Sequence, residues 1–236
     1  RIMLRLPASH PSVKLLGVVL AAAVGCHPAP SPSTTPARRA ASGALENPGD
    51  PLWSARAPDE FIARFETTRG VFAIEVHRAW SPRGADRFYQ LVRSGYFDDS
   101  RFYRVRSNYI VQFGIAGDPA VAQRWRDRRF PDDSVRVTNA RGTVAFAMNG
   151  PDTRTTQIYI NLRDDAPLDG QGFSPFGRVR DGMDVVDRLY AEYGERSGGG
   201  IRAGHQDSLF VEGNAYLDRL YPRLDHLVRA TIVGGQ

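Results

Sequence analysis

The chain has 236 residues, 42% of them hydrophobic and 10% aromatic, which is enough for one globular domain with appendages. The net charge is +5, but Arg1, Arg5 and Lys14 precede Cys26 with no acidic residue among them, and the remaining 28 basic residues face 26 acidic ones. This balance argues against the basic surface that nucleic-acid binding requires, so no nucleic acid is expected as a partner.

The first 25 residues resemble a bacterial lipoprotein signal peptide. A basic region precedes an apolar run at 15–24, which is too short to span a bilayer comfortably and ends just ahead of Cys26. We therefore predict an exported protein, held in the cell envelope by a lipid on Cys26, its only cysteine. Because His27 is not the aspartate associated with inner-membrane retention, the outer membrane facing the periplasm is favoured. An ordinary secretory signal with a stray cysteine is the alternative.

Residues 26–57 are predicted to form a disordered linker. Six prolines lie there among Ser, Thr and Ala, and such a composition buries too little apolar surface to fold. The expected organisation is a signal peptide at 1–25, the linker at 26–57 and one folded domain at 58–236, acting as a monomer.

Apolar runs bounded by turn-forming residues predict eight strands in the folded domain. In the first of them Phe61, Ala63 and Phe65 occupy alternate positions, as expected for a strand with one buried face. The predicted strands are residues 61–66, 71–76, 102–105, 109–113, 144–148, 158–160, 176–179 and 227–233.

Two helices are predicted between the strands, at residues 81–95 and 183–193. Ser81 suits the N-cap, Pro82 the first helical position and Gly95 the end of the first helix. Because strands dominate and two helices are inserted, the pattern favours a closed β-barrel with helical plugs at its ends.

An arginine interrupts a run that otherwise has strand character. Arg104 and Gln112 are eight positions apart, and an even spacing places both side chains on one face of an unbroken strand. Two strands of one sheet flanking a turn would also bring them together. A second block with polar anchors follows at residues 142–151 and 156–161.

The order and approximate spacing of these blocks resemble the core signature of the cyclophilins, which are peptidyl-prolyl cis-trans isomerases. The resemblance runs from about residue 61 to residue 233. It implies a closed eight-stranded antiparallel barrel capped by two helices, and an enzyme acting on proline-containing polypeptides. Rotation about a prolyl bond breaks no covalent bond, so no cofactor is required. The five histidines show no ligand spacing, so no metal is expected either.

The resemblance assigns roles position by position. Arg104 matches the family arginine that holds the substrate backbone and stabilises the twisted amide, and Gln112 matches the glutamine beside it; both are predicted to be catalytic. The predicted substrate-binding residues are Tyr109, Ile110, Ala147, Asn149, Gln157, Tyr159, Leu168 and Phe173.

Tyr109 and Tyr159 are among the positions that depart from the family pattern. Both stand where the family has phenylalanine, and each adds a hydroxyl to an apolar pocket. A buried hydroxyl without a partner costs about 1–3 kcal/mol, so each is expected to reach solvent or a backbone group.

Residues 194–221 resemble a bacterial variation on the family and have no function that the sequence reveals. The glycine-rich stretch at 197–200 is predicted to be a flexible loop. Two hypotheses remain for the whole chain: a lipid-anchored isomerase that assists the folding of envelope proteins, and a non-catalytic module of the same fold that binds proline-containing segments. The joint presence of Arg104, Gln112 and Gln157 favours the enzyme.

Overall fold

A computed structural model describes residues 43–199 and 206–235 of the chain. The predicted signal peptide, Cys26 and the first part of the predicted linker lie outside the described residues. Eight strands form one antiparallel sheet in the order β3-β4-β6-β5-β7-β2-β1-β8, which confirms the prediction of a mainly β fold. The strands are β1 (Glu60–Thr67), β2 (Gly70–His77), β3 (Arg104–Arg106), β4 (Ile110–Phe113), β5 (Thr143–Phe146), β6 (Ile158–Asn161), β7 (Pro175–Asp181) and β8 (Leu227–Gly235).

The sheet curls into a half-barrel whose two edge strands approach each other. Arg101, just ahead of β3, forms an isolated antiparallel bridge with His226, just ahead of β8. The Leu227 amide donates to the Ser100 carbonyl at 2.9 Å. The segments that enter the edge strands therefore connect the two ends of the sheet.

The core lies inside the curl and is rich in aromatic residues. Phe61, Ala63 and Phe65 of β1 alternate toward it, as the sequence predicts. The Phe65 ring stacks on Phe72 with the centroids 4.9 Å apart and meets the edge of Phe113 at 6.0 Å.

The strands β4, β5 and β6 are buried on both faces. One face contributes to the main core, whereas the other carries a second apolar cluster built on Ile110, Ala145 and Tyr159. This second cluster therefore lies on the face of the sheet opposite the main core, where Tyr109, Ala147, Leu168 and Phe173 pack against it. The candidate site lies on this face.

Within residues 43–199 and 206–235, the α-helices of five or more residues are α1 (Pro82–Arg93), α2 (Pro119–Trp125), α3 (Met183–Asp187), α4 (Asp207–Glu212) and α5 (Asn214–Leu220). Helix α1 begins where predicted, with Ser81 at the N-cap position and proline at the first helical position. The Ser81 hydroxyl does not cap the helix, however, because it donates to Asp133 Oδ2 at 2.7 Å. The same carboxylate oxygen accepts from the Gly84 amide at 2.9 Å, so a loop residue caps the first turn.

The second predicted helix is shorter than expected. Helix α3 ends at Asp187 instead of continuing to residue 193. The Tyr190 amide donates to Asp225 Oδ2 at 2.8 Å, and this carboxylate also accepts from Thr68 Oγ1 at 2.8 Å. A buried acceptor from a distant segment thus takes a backbone donor that a longer helix would have used.

Residues 43–57, which the sequence predicted to be part of a disordered linker, are ordered and packed against the domain. The Trp53 and Trp125 rings lie 4.0 Å apart between centroids, and Trp125 Nε1 donates to the Leu45 carbonyl at 3.1 Å. Gln90 Nε2 donates to the Ala55 carbonyl at 2.8 Å. This stretch therefore packs along α1 and α2. None of the helices in the described part of the chain combines the length and apolar character that a bilayer crossing requires.

The predicted loop at 197–200 also differs where it is described. Residues Arg196–Gly198 form a 3₁₀ turn, in which Ser197 is buried. Its hydroxyl donates to the Tyr103 carbonyl at 2.7 Å, so the turn is attached to the segment entering β3. Residues 200–205 lie outside the description.

Candidate active site

Arg104 and Gln112 face each other across the β3–β4 hairpin. They are partners in the strand register, and Arg104 Nη1 donates to Gln112 Oε1 at 2.8 Å. Of the two arrangements that the even spacing left open, the structure shows the hairpin. Asn108 in the turn has a φ of 55°, a left-handed conformation that asparagine tolerates better than most residues.

The orientation of the Gln112 amide follows from its other contact. Gln112 Nε2 donates to Gln157 Oε1 at 3.1 Å, and the Tyr103 hydroxyl donates to the same oxygen. Burial raises the pKa of Tyr103 above its usual value, so the hydroxyl remains a donor at neutral pH. Because the amino end of Gln112 is used in this way, its oxygen is the atom that faces Arg104.

The main partner of Arg104 is Glu195, a residue that no sequence pattern predicted as part of the site. Arg104 Nε donates to Glu195 Oε2 at 2.8 Å, and Nη2 donates to Oε1 at 2.9 Å. The side chains are only 12% and 19% exposed, which makes the pair a sheltered, bidentate contact. Glu195 lies 91 residues beyond the arginine and belongs to no motif, so no sequence signal identified it.

The contacts of Arg104 leave part of its hydrogen-bonding capacity for a ligand. A guanidinium has five N–H donors. Within the described residues, Glu195 takes two of them and Gln112 takes one. One donor each on Nη1 and Nη2 is therefore left, at the rim of a cavity that Arg104 lines.

This cavity has a volume of about 850 Å³ and gathers most of the predicted site. Both predicted catalytic residues line it. So do seven of the predicted substrate-binding residues: Tyr109, Ile110, Ala147, Asn149, Tyr159, Leu168 and Phe173. Gln157 lies behind Gln112, where it orients that amide rather than lining the cavity.

The cavity floor is apolar and held rigidly. The Tyr159 ring meets the edge of Phe173, with centroids 5.7 Å apart. The prediction that the Tyr159 hydroxyl reaches solvent or a backbone group is wrong, because it donates to the buried side-chain Oδ1 of Asn139 at 2.9 Å. Asn139 Nδ2 in turn donates to the Phe173 carbonyl at 2.8 Å. Burial raises the pKa of Tyr159 well above its usual value, so the ring stays neutral and suits an apolar ligand.

The outer wall of the cavity carries positive charge. The guanidinium groups of Arg106 and Arg163 each lie 5.0 Å from the centroid of the Tyr109 ring, within cation–π range. Their side chains are 58% and 49% exposed. Neither arginine belongs to a motif in the sequence, so neither was predicted to lie beside the site.

The described residues contain no cluster of three or more His, Cys, Asp or Glu side chains arranged to hold a metal ion. What the site offers is a hydrogen-bonding cation, fixed by two polar partners, beside a cavity that has an apolar floor and a polar, positively charged wall. This arrangement can bind a peptide segment and act on it through hydrogen bonds.

A curled sheet of eight antiparallel strands, with a clamped arginine lining a cavity that has an apolar floor, is the arrangement expected of a cyclophilin-like isomerase. Residues 62–200 match the family profile described as cyclophilin type peptidyl-prolyl cis-trans isomerase/CLD. This match covers more than half of the chain, which therefore belongs to the cyclophilin-type peptidyl-prolyl cis-trans isomerases.

Individual relatives agree with this assignment. The chain is 36% identical over 131 residues to peptidyl-prolyl cis-trans isomerase CYP18-2 of Arabidopsis thaliana, covering 52% of this chain and 77% of the relative. It is 33% identical over 150 residues to peptidyl-prolyl cis-trans isomerase cyp18 of Streptomyces antibioticus, covering 60% and 87%. The protein is thus an enzyme of this type.

A solved structure supports the fold. A cyclophilin-type isomerase of Cryptosporidium parvum superposes with a TM-score of 0.54 at 18% sequence identity, covering 75% of this chain and 99% of that one. The fold of the whole neighbour is therefore contained in this chain.

Proposed function

We propose that Arg104 accelerates rotation about X-Pro bonds by donating hydrogen bonds that stabilise the twisted amide. Rotation has a barrier of about 18–20 kcal/mol because the amide has partial double-bond character. In the twisted state the prolyl nitrogen loses conjugation and becomes a better hydrogen-bond acceptor. A guanidinium, charged at every physiological pH and fixed before the substrate arrives, stabilises that state more than the planar one.

The observation that carries this proposal is the position of Arg104. It is held by Glu195 and Gln112, yet keeps donors on Nη1 and Nη2 beside the apolar floor formed around Tyr159 and Phe173. The floor suits the ring of a proline, and the donors suit its amide. Proline-containing segments as ligands are also supported by the C. parvum isomerase, whose structure was solved in the presence of the dipeptide Ala-Pro.

We expect the full chain to accelerate cis-trans exchange of a proline-containing tetrapeptide without added metal, nucleotide or thiol. The reaction requires only binding and hydrogen bonding, so none of these additives has a role in it. Exchange spectroscopy by NMR, with and without a chelator, measures the rate directly. Reversible loss of activity on chelation, restored by one divalent metal, would contradict the mechanism.

We also propose that the enzyme works in the cell envelope on exported proteins, anchored by a lipid on Cys26. This proposal rests on the sequence: a basic region, a short apolar run and the only cysteine follow one another in the order of a lipoprotein signal. The outer membrane facing the periplasm is the favoured location, because His27 is not the retention-associated aspartate.

Replacing Cys26 with serine is expected to move the protein from the membrane fraction to the soluble fraction of a bacterial host. Each buried methylene of an acyl chain contributes about 0.8 kcal/mol, and stable anchoring needs more than one chain. Ser33→Ala, within the same predicted linker, is the matched control and should stay with the membrane. Membrane retention of Cys26→Ser would instead indicate an uncleaved apolar segment as the anchor.

A further inference from the structure

The segment after α3 reaches back to the β3–β4 hairpin at two points. Gly194 forms an isolated antiparallel bridge with Val105 of β3, and Ser197 Oγ donates to the Tyr103 carbonyl at 2.7 Å. These contacts lie on either side of Glu195 and attach its backbone to β3 and to Tyr103, the residue before β3. The backbone of Glu195 is therefore held beside Arg104 by contacts that do not involve the guanidinium.

The same segment packs against the stem of the catalytic arginine. A Cβ placed on Gly198 would lie 3.1 Å from Arg104 Cβ and 3.3 Å from Tyr103 Cδ2. Ser197 is 1% exposed. Such close packing limits the motion of both the turn and the side chain beside it.

We propose that Glu195 is a positioning residue for Arg104 in the prolyl isomerase reaction, an inference that rests on the proposed role of Arg104. Its two charge-assisted hydrogen bonds fix the plane of the guanidinium, and the bond to Gln112 fixes the remaining edge. A free arginine side chain has many rotamers, and immobilising it in the transition state costs free energy. Because Glu195 holds one rotamer in advance, that cost is absent from the reaction.

Glu195 also lies between two cations. Its Oε1 atom is 3.6 Å from Arg106 Nη1, in addition to its contacts with Arg104. Without the carboxylate, two guanidinium groups on one short strand would repel each other in a partly sheltered site. Glu195 therefore opposes the displacement of Arg104 that this repulsion would cause.

Glu195→Gln in the full chain tests the inference. Glutamine keeps the shape of glutamate, but one of its two terminal atoms is an NH2 group, which donates. Its single oxygen can therefore replace only one of the two carboxylate oxygens that accept from Arg104 Nε and Nη2. We expect kcat to fall roughly 10- to 100-fold, as for loss of a hydrogen bond to a charged group. KM should stay within about twofold, because the apolar floor that binds the proline is unchanged. The control is Glu192→Gln, a 73% exposed carboxylate beside Arg223, which should keep wild-type kcat.

Two further measurements separate positioning from a general structural effect. In an Arg104→Ala background, Glu195→Gln should lower kcat no further, since the residue through which it acts is gone. The Arg104 Nε–H resonance, donated to Glu195 in the wild type, should exchange faster with water in Glu195→Gln. Wild-type kcat in Glu195→Gln, or an equal loss of kcat in the Arg104→Ala background, would overturn the inference.

The outcomes also distinguish this inference from the proposed function. One set of results would refute the positioning role of Glu195 and leave the proposed function standing. In that set the wild-type chain is active, Arg104→Ala is inactive and Glu195→Gln has normal kcat. An inactive wild-type chain would refute the proposed function. In that case the Nε–H comparison still decides about positioning, because an unchanged exchange rate in Glu195→Gln would show that the carboxylate does not hold the guanidinium.

Discussion

Arg104→Ala is expected to lower kcat about 100- to 1,000-fold, the usual loss when one preorganised donor to a transition state is removed. Arg104→Lys should recover little of this, because a point charge cannot reproduce a planar donor that bonds Glu195 and Gln112 at once. Gln112→Ala should cost less than Arg104→Ala, since Gln112 orients the arginine and carries no charge. The measurement is NMR exchange of a proline peptide together with a thermal melt on the same samples.

The controls address the stability of these variants. Arg104→Ala deprives Glu195, 19% exposed, of its main partner and should lower the melting temperature by several degrees. Adding Glu195→Gln should restore part of the melting temperature without restoring kcat. Arg180→Ala, 52% exposed on β7, should change neither property. Near-normal turnover in Arg104→Ala would remove Arg104 from the mechanism.

Phe113→Ala is expected to destabilise the fold by about 3–5 kcal/mol, the usual cost of removing a large buried aromatic side chain. Phe113 has no exposed surface, and its ring lies 5.0 Å from Phe102 and 5.8 Å from Phe97 between centroids. Phe113→Leu should cost clearly less, since much of the cavity remains filled. The midpoint of urea unfolding, at an unchanged slope, measures the difference.

Val233→Ala is the matched control for this core substitution. Val233 lies in β8 and is 55% exposed, so its truncation should change the free energy of unfolding by no more than about 0.5 kcal/mol. Equal midpoints for the Phe113 and Val233 variants would show that the aromatic cluster is not the centre of the core.

Local sequence patterns determined much of the fold. Apolar runs bounded by turn-forming residues predicted all eight strands, and alternation identified the buried face of β1, since a strand with one buried face must repeat every two residues whatever its partner is. Pro82 fixed the start of α1, because its ring presets the helical φ. Arg104 and Gln112 could be paired by their even spacing, and the resemblance to cyclophilins supplied the residues that line the cavity.

The tertiary structure decided every feature that depends on residues far apart in the chain. Asp225 accepts from the Tyr190 amide just beyond the end of α3, and Asp133 caps the first turn of α1. The Trp53 ring packs on Trp125 and so holds part of the predicted linker against the domain. Each of these three contacts joins residues that are far apart in the chain and meet only in the folded protein. Local dihedral preference and periodicity do not specify such contacts.

The same division holds inside the site. The sequence by itself, through its resemblance to the cyclophilins, predicted which residues meet around Arg104, and nine of those ten line one cavity in the structure. Only the tertiary structure showed that Glu195, 91 residues away, clamps Arg104, and that Asn139 receives the Tyr159 hydroxyl. Glutamate and asparagine occur throughout soluble chains, so they become recognisable as parts of a site only once folding has brought a specific polar partner within hydrogen-bond distance.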